Sequence, residues 1–521
     1  MKSSIFFRAA TLILLSLQAC TKFAEYTDNY DFQENITSSE ETVYPGKKLE
    51  DPFAISNITR AYDSLKQRMP DMPELDIKPN HVYLRFLPAN EKELEILRKD
   101  TTLILYDYPL DYEITGEGEI TKSLSGISAD SWQYCVVPSG RKLPDVFHEI
   151  LYEVFIPVND EYCLKSTGSN PDFYDLLIDE SARITGNTGD NDTLTRQLRG
   201  ISSPKWNPKG RIRAWDDLLN DYIPLEHVSV HARWFTHIET ALTNENGYFQ
   251  TKSFRNKVNY SIKWENSQFT IRNGLFSQAW YNGPKIKGDW NLDIRDGKSL
   301  MFATIHRAAF KYFYGDALGL DRPGLKYGGR TKICYKDEPG TGIFLGDWGA
   351  SGIVPDIIIW GGDCRTTTRV FGSTVHELGH QAHSQCVGNI RFFQSSKIIR
   401  ESWADAVEWA LTNDEYNKLG LKFGNIIAAR YDHESSKHDA WPFVKDKDYS
   451  PIFIDLIDKI NQRDSYGPGY PNDRISQYSI SFINRNLLTK TIDIGTLRNE
   501  VYQNKLEGVT DNDIDELFML Y

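Results

Sequence analysis

Residues 376 to 383 read HELGHQAH and hold three of the chain's eleven histidines beside one glutamate. On an α-helix, at about 100° per residue, His380 falls roughly 40° around from His376 and one turn along, so the two imidazoles share a face. Phe371, Val375, Leu378 and Ala382 fall on the opposite face, giving a helix with a core side and a histidine side. Two imidazoles so spaced can converge on one zinc ion at Zn–N distances of about 2.1 Å. Glu377 is rotated by roughly 100°, beside such an ion and not on it, where a carboxylate can take a proton from an attacking water. The expectation is therefore Zn2+ held by His376 and His380, with Glu377 as general base.

A catalytic zinc takes three protein ligands. His383 shares the face of His376, but seven residues of helix rise about 10.5 Å, too far for one straight helix to bring all three imidazoles to one ion. An outer-face or pocket-lining place is expected for it. Glu401 is the stronger candidate, because it opens a second helical pattern, ESWADAVEWAL, downstream of His380. Asp405 lies one turn on, on the same face, while Trp403, Ala406, Val407 and Ala410 cover the other side. Glu401 can complete the coordination, and Asp405 can accept a hydrogen bond from the free N–H of a ligating imidazole. Glu408 points the same way two turns from Glu401 and reads as a solvated helix-face charge. The competing reading of Glu401 and Asp405 is likewise a solvated acidic stripe.

HELGH followed by ESWAD resembles the gluzincin metallopeptidases, the thermolysin and aminopeptidase type, with their Glu-x-x-x-Asp second motif. Residue by residue, the resemblance implies His376 and His380 as histidine ligands, Glu377 as general base, Glu401 as third ligand and Asp405 as the acid behind a ligand. It also implies a strand edge above the zinc that pairs with an extended substrate, supplied by TGIFLGDW or PDIIIWGG. A Tyr or His against the oxyanion is implied too, with Tyr431, His433, His438 and Tyr478 as candidates. No aminopeptidase-style Gly-x-Met-Glu-Asn strand is present, which argues for an endopeptidase over an N-terminal exopeptidase. Arg400 stands where an asparagine often precedes the third ligand.

Several elements must position these groups. From residue 275 to the end helices dominate, with SLMFATIHRAAFKYFYG as an amphipathic helix stopped by glycine, and RTKICYKD, TGIFLGDW and PDIIIWGG as strands. Further helices are expected at SPIFIDLIDKINQRD, RISQYSISFINRNLL, IGTLRNEVYQNKL and TDNDIDELFMLY. Residues 206–274 carry six short strand-like runs broken by turn signals such as NENG, the signature of a small β-sandwich. Its ALTNENGYF hairpin is similar to the signature of the transthyretin-like, carboxypeptidase-regulatory family. His227, His231 and His237 fall in this region; His227 and His231 share strand parity, but solvated or packed strand histidines are expected. Residues 46–205 read as an α+β unit of unknown role, with strands at HVYLRFLP, TTLILYDY and WQYCVVP and helices at NEKELEILRKD and LPDVFHEILYEVF, the last carrying His148. The expected fold class is multidomain α+β: this unit, the sandwich, and a mainly helical, gluzincin-like peptidase domain with a small sheet over 275–521.

A chain of 521 residues is too long for one core, and 25% charged and 40% hydrophobic content describe a folded protein. The formal charge of −13 argues against nucleic acid as a partner. Residues 1–20, MKSSIFFRAATLILLSLQAC, form an export signal whose LQAC resembles the bacterial lipobox, which implies lipidation of Cys20. Residues 21–45 are polar and acidic and read as a flexible tether. The expected localisation is the bacterial cell envelope, at the outer membrane, with membrane attachment through the lipid on Cys20. Five cysteines remain, Cys135, Cys163, Cys334, Cys364 and Cys386, none in a CxxC pair, and most are expected to be buried thiols.

The function expected is hydrolysis of peptide bonds in a peptide or protein substrate by a zinc-activated water. Two alternatives carry different tests. A surface binding or adhesion lipoprotein built on a retired peptidase would lack turnover, and a peptidase directed at glycoproteins such as mucins would distinguish glycosylated from bare peptides.

Overall fold

The computed structural model describes residues 44–119, 132–156, 171–188, 204–324, 329–346, 355–421 and 448–521, apart from 73, 101, 276, 341 and 362–365. Cys20 and residues 21–43 of the expected tether lie outside the described residues, as do Cys163, Cys364, Tyr431, His433 and His438, whereas Tyr44 and Pro45, expected to end the tether, begin a strand. The protein is α+β, with helices and five sheets among the described residues. None of the described helices is long and apolar enough to cross a membrane.

The N-terminal part holds β1 (Tyr44–Lys48) paired with β3 (Tyr112–Thr115), and a three-stranded antiparallel sheet in the order β5 (Gln133–Pro138), β2 (His81–Phe86), β6 (His148–Val154). Alternation on β2 buries Tyr83 in the main core and Leu84 and Phe86 in a second cluster with Leu97 and Val137, so both faces of this sheet are covered. Helix α1 (Ile55–Arg68) touches β6 and packs on α3 (Pro171–Ile184), while Leu97 of α2 (Glu91–Lys99) joins the second cluster. Asn90 caps α2 by accepting from the Glu93 N–H at 3.0 Å.

Two expectations fail here. LPDVFHEILYEVF is not a helix: His148–Val154 pairs antiparallel with the whole of β2. Its apolar positions fit a helical stripe as well as a strand, and pairing with a neighbour decides between them for a run this short. His148 therefore sits on an edge strand. TTLILYDY is not a regular strand either, since only Tyr106 bridges, to Tyr134.

The region expected to form a sandwich, called the sandwich below, contributes to two sheets. One runs β10 (His237–Leu242), β9 (Ser229–Trp234), β12 (Val258–Lys263), β15 (Trp280–Ile286), β4 (Gly118–Glu119). The other runs β11 (Tyr248–Gln250), β7 (Lys209–Asp216), β16 (Trp290–Ile294), with β8 (Asp221–Pro224) also on β7. Pairing crosses residue 274 in both directions. β15 and β16 complete the sandwich, while β13 (Phe269–Asn273) joins the fifth sheet, ordered β14 (Ser277–Gln278), β13, β17 (Thr331–Lys336), β19 (Ile357–Trp360), β18 (Gly342–Phe344). β13, β17 and β19 are parallel and buried, and β14 and β18 form the two antiparallel edges.

Against this sheet lie α4 (Gly297–Phe313) and α5 (Thr367–Val387); the short α6 (Asn389–Gln394) leads to α7 (Lys397–Lys418), which packs on α5, followed by α8 (Ile494–Gln503) and α9 (Asp511–Phe518). The stretch SPIFIDLIDKINQRD is two short turns, Ile452–Asp455 and Gln462–Tyr466, because Asn461 caps a new start by accepting from the Arg463 N–H. RISQYSISFINRNLL is helical only from Ile480, and continues from an α-turn through a π-turn to a 3-10 turn ending at Lys490. One apolar cluster runs from Phe53 through the sandwich to Phe518.

Candidate metal centre

Helix α5 starts at Thr366, whose side chain accepts from the Arg369 N–H, and ends before Gly388, whose φ is +83°. The sandwich holds both catalytic-helix candidates from outside. The Asp217 carboxylate accepts the Thr367 N–H at 2.8 Å, and the Thr367 hydroxyl accepts the Asp217 N–H at 2.9 Å, fixing the start of α5. Asp216 is buried and accepts from Arg307 of α4 at 2.8 Å and from the Tyr416 hydroxyl of α7 at 2.7 Å. Sequence spacing carried no sign of these contacts, since Asp216 and Asp217 sit at the end of an ordinary strand.

Between α5 and α7, the Nε2 atoms of His376 and His380 lie 3.4 Å and 3.3 Å from Glu401 Oε2. The three side chains are buried, and their nearest ligand atoms all lie within 4.8 Å of one another. Ligand atoms on a tetrahedron with bonds of about 2.0–2.1 Å are separated by about 3.4 Å, whereas an N–H···O hydrogen bond prefers about 2.9 Å. The spacing thus suits a shared ion better than a direct bond. Glu377 Oε2 is buried with no hydrogen-bond partner among the described residues. Two imidazoles and one carboxylate, with a second carboxylate beside them, form a donor set that fits zinc.

The far side of His376 is also occupied. Its Nδ1 lies 3.2 Å from Asp405 Oδ1 and 3.0 Å from Glu408 Oε2. Glu408 is thus not the solvated charge expected from its position; the crossing of α5 and α7 turns it inward onto the imidazole. Arg400 donates to the Phe392, Phe393 and Ser395 carbonyls and lies over the Phe392 ring, tying the end of α6 to the start of α7.

Electrostatics follow from burial and from these neighbours. Burial opposes charge on His376, but Asp405, Glu401 and Glu408 outweigh it and raise its pKa well above the ordinary value. Burial likewise opposes charge on Glu401, and His380 and His376 overcome it, holding the carboxyl far below the usual range. Glu377 is pushed up to about 8, first by burial and then by Glu401 and Glu408, against the lowering effect of His376 and of the Phe344 N–H.

β18 crosses the front of this group. Its Phe344 N–H bonds to the Glu377 carboxylate, and a Cβ on Gly342 would lie 2.5 Å from Glu377 Oε1. Of the two segments considered for a substrate-pairing edge, TGIFLGDW contains this edge strand, while PDIIIWGG contributes β19, which is paired on both sides.

The remaining candidates lie elsewhere. His383 is buried against Phe392, with ring centroids 5.1 Å apart and neither nitrogen bonded to a described residue. Tyr478 is buried and donates to the Asn504 carbonyl at 3.0 Å, away from α5. His231 is buried against the Tyr106 hydroxyl at 2.8 Å, His227 stacks on Phe310, and His237 stacks on Phe254. Cys135 and Cys386 are free thiols, the first buried, and Cys334 is a buried cysteine. A cavity of about 280 Å³ lies between the N-terminal part and the sandwich, lined by Phe53, His81, Trp234 and Phe254 and by no residue of α5 or α7. No family model, no curated protein and no solved structure matches this chain.

Proposed function

We propose that the protein is a zinc-dependent peptidase that hydrolyses internal peptide bonds. The observation that carries this reading is the convergence of His376 Nε2 and His380 Nε2 on Glu401 Oε2 at 3.3–3.4 Å, beside a Glu377 carboxylate oxygen with no partner among the described residues. His376, His380 and Glu401 would hold the ion. When bound, zinc supplies a Lewis acid that polarises a carbonyl and acidifies a water, and its charge favours the ionised form of Glu377.

The protein's own groups supply the rest. Glu377 takes the proton of the attacking water and returns it to the departing amine, so one carboxylate serves as base and then as acid. The Phe344 N–H orients that carboxylate, and Gly342 leaves the space in which it moves. Edge strand β18 offers backbone donors and acceptors to an extended peptide, which would lay its scissile bond across α5. Nothing in this pairing requires a free N-terminus, in keeping with an endopeptidase.

The test is digestion of a broad peptide library by the full chain, before chelation, after it, and after zinc is added back. Internal cleavage that disappears and returns supports the reading. A zinc-loaded protein that leaves every peptide intact contradicts it and favours the binding-lipoprotein alternative.

A further inference from the structure

Three carboxylates from one helix surround His376. Glu401, Asp405 and Glu408 are spaced four and three residues apart, so on α7 they form a single stripe facing α5. Glu401 lies on the Nε2 side of the ring, while Asp405 Oδ1 at 3.2 Å and Glu408 Oε2 at 3.0 Å both lie at Nδ1. A neutral imidazole whose Nε2 lone pair faces an ion has only one N–H to offer, at Nδ1. Two carboxylates therefore compete for, and share, one proton.

We infer that Glu408 is a positioning residue for His376, acting with Asp405 as one half of a two-carboxylate clamp on the Nδ1–H. This rests on the metal reading above and extends it to a residue that the Glu-x-x-x-Asp motif does not include. The geometry explains what a second acceptor does. A single carboxylate leaves the ring free to swing about its Cβ–Cγ bond on the unheld side, whereas acceptors from two successive turns of α7 fix the ring plane. They also fix which nitrogen carries the proton, and their charge raises the basicity of Nε2. The clamp is redundant by construction, because either carboxylate can accept the hydrogen bond when the other is lost.

Redundancy has a distinctive signature. Zinc affinity would be measured on the full chain by competition with a chromophoric chelator, for wild type, Asp405→Ala, Glu408→Ala and the double variant, which remove the acceptors outright, with metal-free thermal unfolding recorded beside it. Loss of a hydrogen-bond partner behind a metal ligand costs about 10–100-fold in affinity. Each single variant is expected to lose less than tenfold. The double variant is expected to lose more than the product of the two, with metal-free midpoints changed little. If Glu408→Ala changes nothing, neither alone nor when added to Asp405→Ala, the inference is overturned while the metal reading stays intact. Two zinc ions per chain, one lost in Glu408→Ala, also overturns it, since Glu408 would then be a ligand itself. A wild-type chain that binds no zinc removes the reading underneath as well.

Discussion

Gly342 stands against Glu377 so closely that a Cβ on it would lie 2.5 Å from Oε1 and 3.0 Å from Cγ. The edge strand and the helix are therefore packed to the dimensions of one carboxylate, and the absent side chain at 342 is what leaves Glu377 its place. Gly342→Ala should push the carboxylate aside without unfolding the sheet, because the atom that must yield is the end of a side chain. Displacement by about 1 Å can cost about 100-fold in rate. Peptide hydrolysis should fall by roughly ten- to a hundredfold, while zinc content and thermal midpoint stay close to wild type. Full activity in Gly342→Ala would show that Glu377 does not need this position.

Glu377→Gln isolates the proton-transfer role. The amide keeps the shape and removes the base, and general-base catalysis contributes about 10²–10⁴-fold. Zinc content should be unchanged and kcat should fall by roughly that factor. Unchanged turnover would remove the role assigned to Glu377, and lost zinc would place it among the ligands instead.

The sandwich contacts should matter unequally. Asp216→Ala leaves the Arg307 guanidinium, 8% exposed, without its hydrogen-bonded carboxylate and with only Glu415 at 3.9 Å as a carboxylate neighbour among the described residues. Breaking such a buried pair costs about 3–5 kcal/mol. Asp217→Ala removes an acceptor at the start of α5, worth about 1 kcal/mol. Denaturant unfolding should separate the two clearly. Equal small losses would mean that the Asp216 contact does not hold α4 and α7 in place.

Stability should also depend on pH through three carboxyls remote from α5. Burial pushes Asp458 up to about 6; burial together with the charges of Asp455 and Asp458 pushes Asp473 up to about 10. Their folded-state pKa values lie above the unfolded ones, so between the two the folded chain binds more protons than the unfolded chain. Stability is then greatest below about pH 4 for this contribution, and is lost as pH rises through 6 and on towards 10. Asp473→Asn should accordingly raise the thermal midpoint at pH 8 and flatten its decline between pH 6 and 9. A lower midpoint at pH 8 would mean that these carboxylates are ionised and neutralised by a cation.

What was legible in the sequence was periodicity and short-range spacing. The i, i+4 placement of His376 and His380 and the apolar stripe of Phe371, Val375 and Leu378 define α5 before any coordinates, and Trp403, Ala406 and Val407 do the same for α7. Contacts set by how elements meet were not legible. Glu408 looked solvated because nothing in its own helix says that α5 crosses there. His148–Val154 looked helical because its ladder partner lies more than sixty residues earlier in the chain, at His81–Phe86. Asp216 and Asp217 carried no signal at all, being local strand-end acids whose partners are supplied by α4, α5 and α7.

Diffraction data collected on both sides of the zinc absorption edge, from crystals grown with zinc, bear most directly on the central claim. An anomalous peak within about 2.0–2.2 Å of His376 Nε2, His380 Nε2 and a Glu401 oxygen, with one position open to solvent beside Glu377, is the predicted result. A peak held by other side chains, or none between α5 and α7, would contradict it.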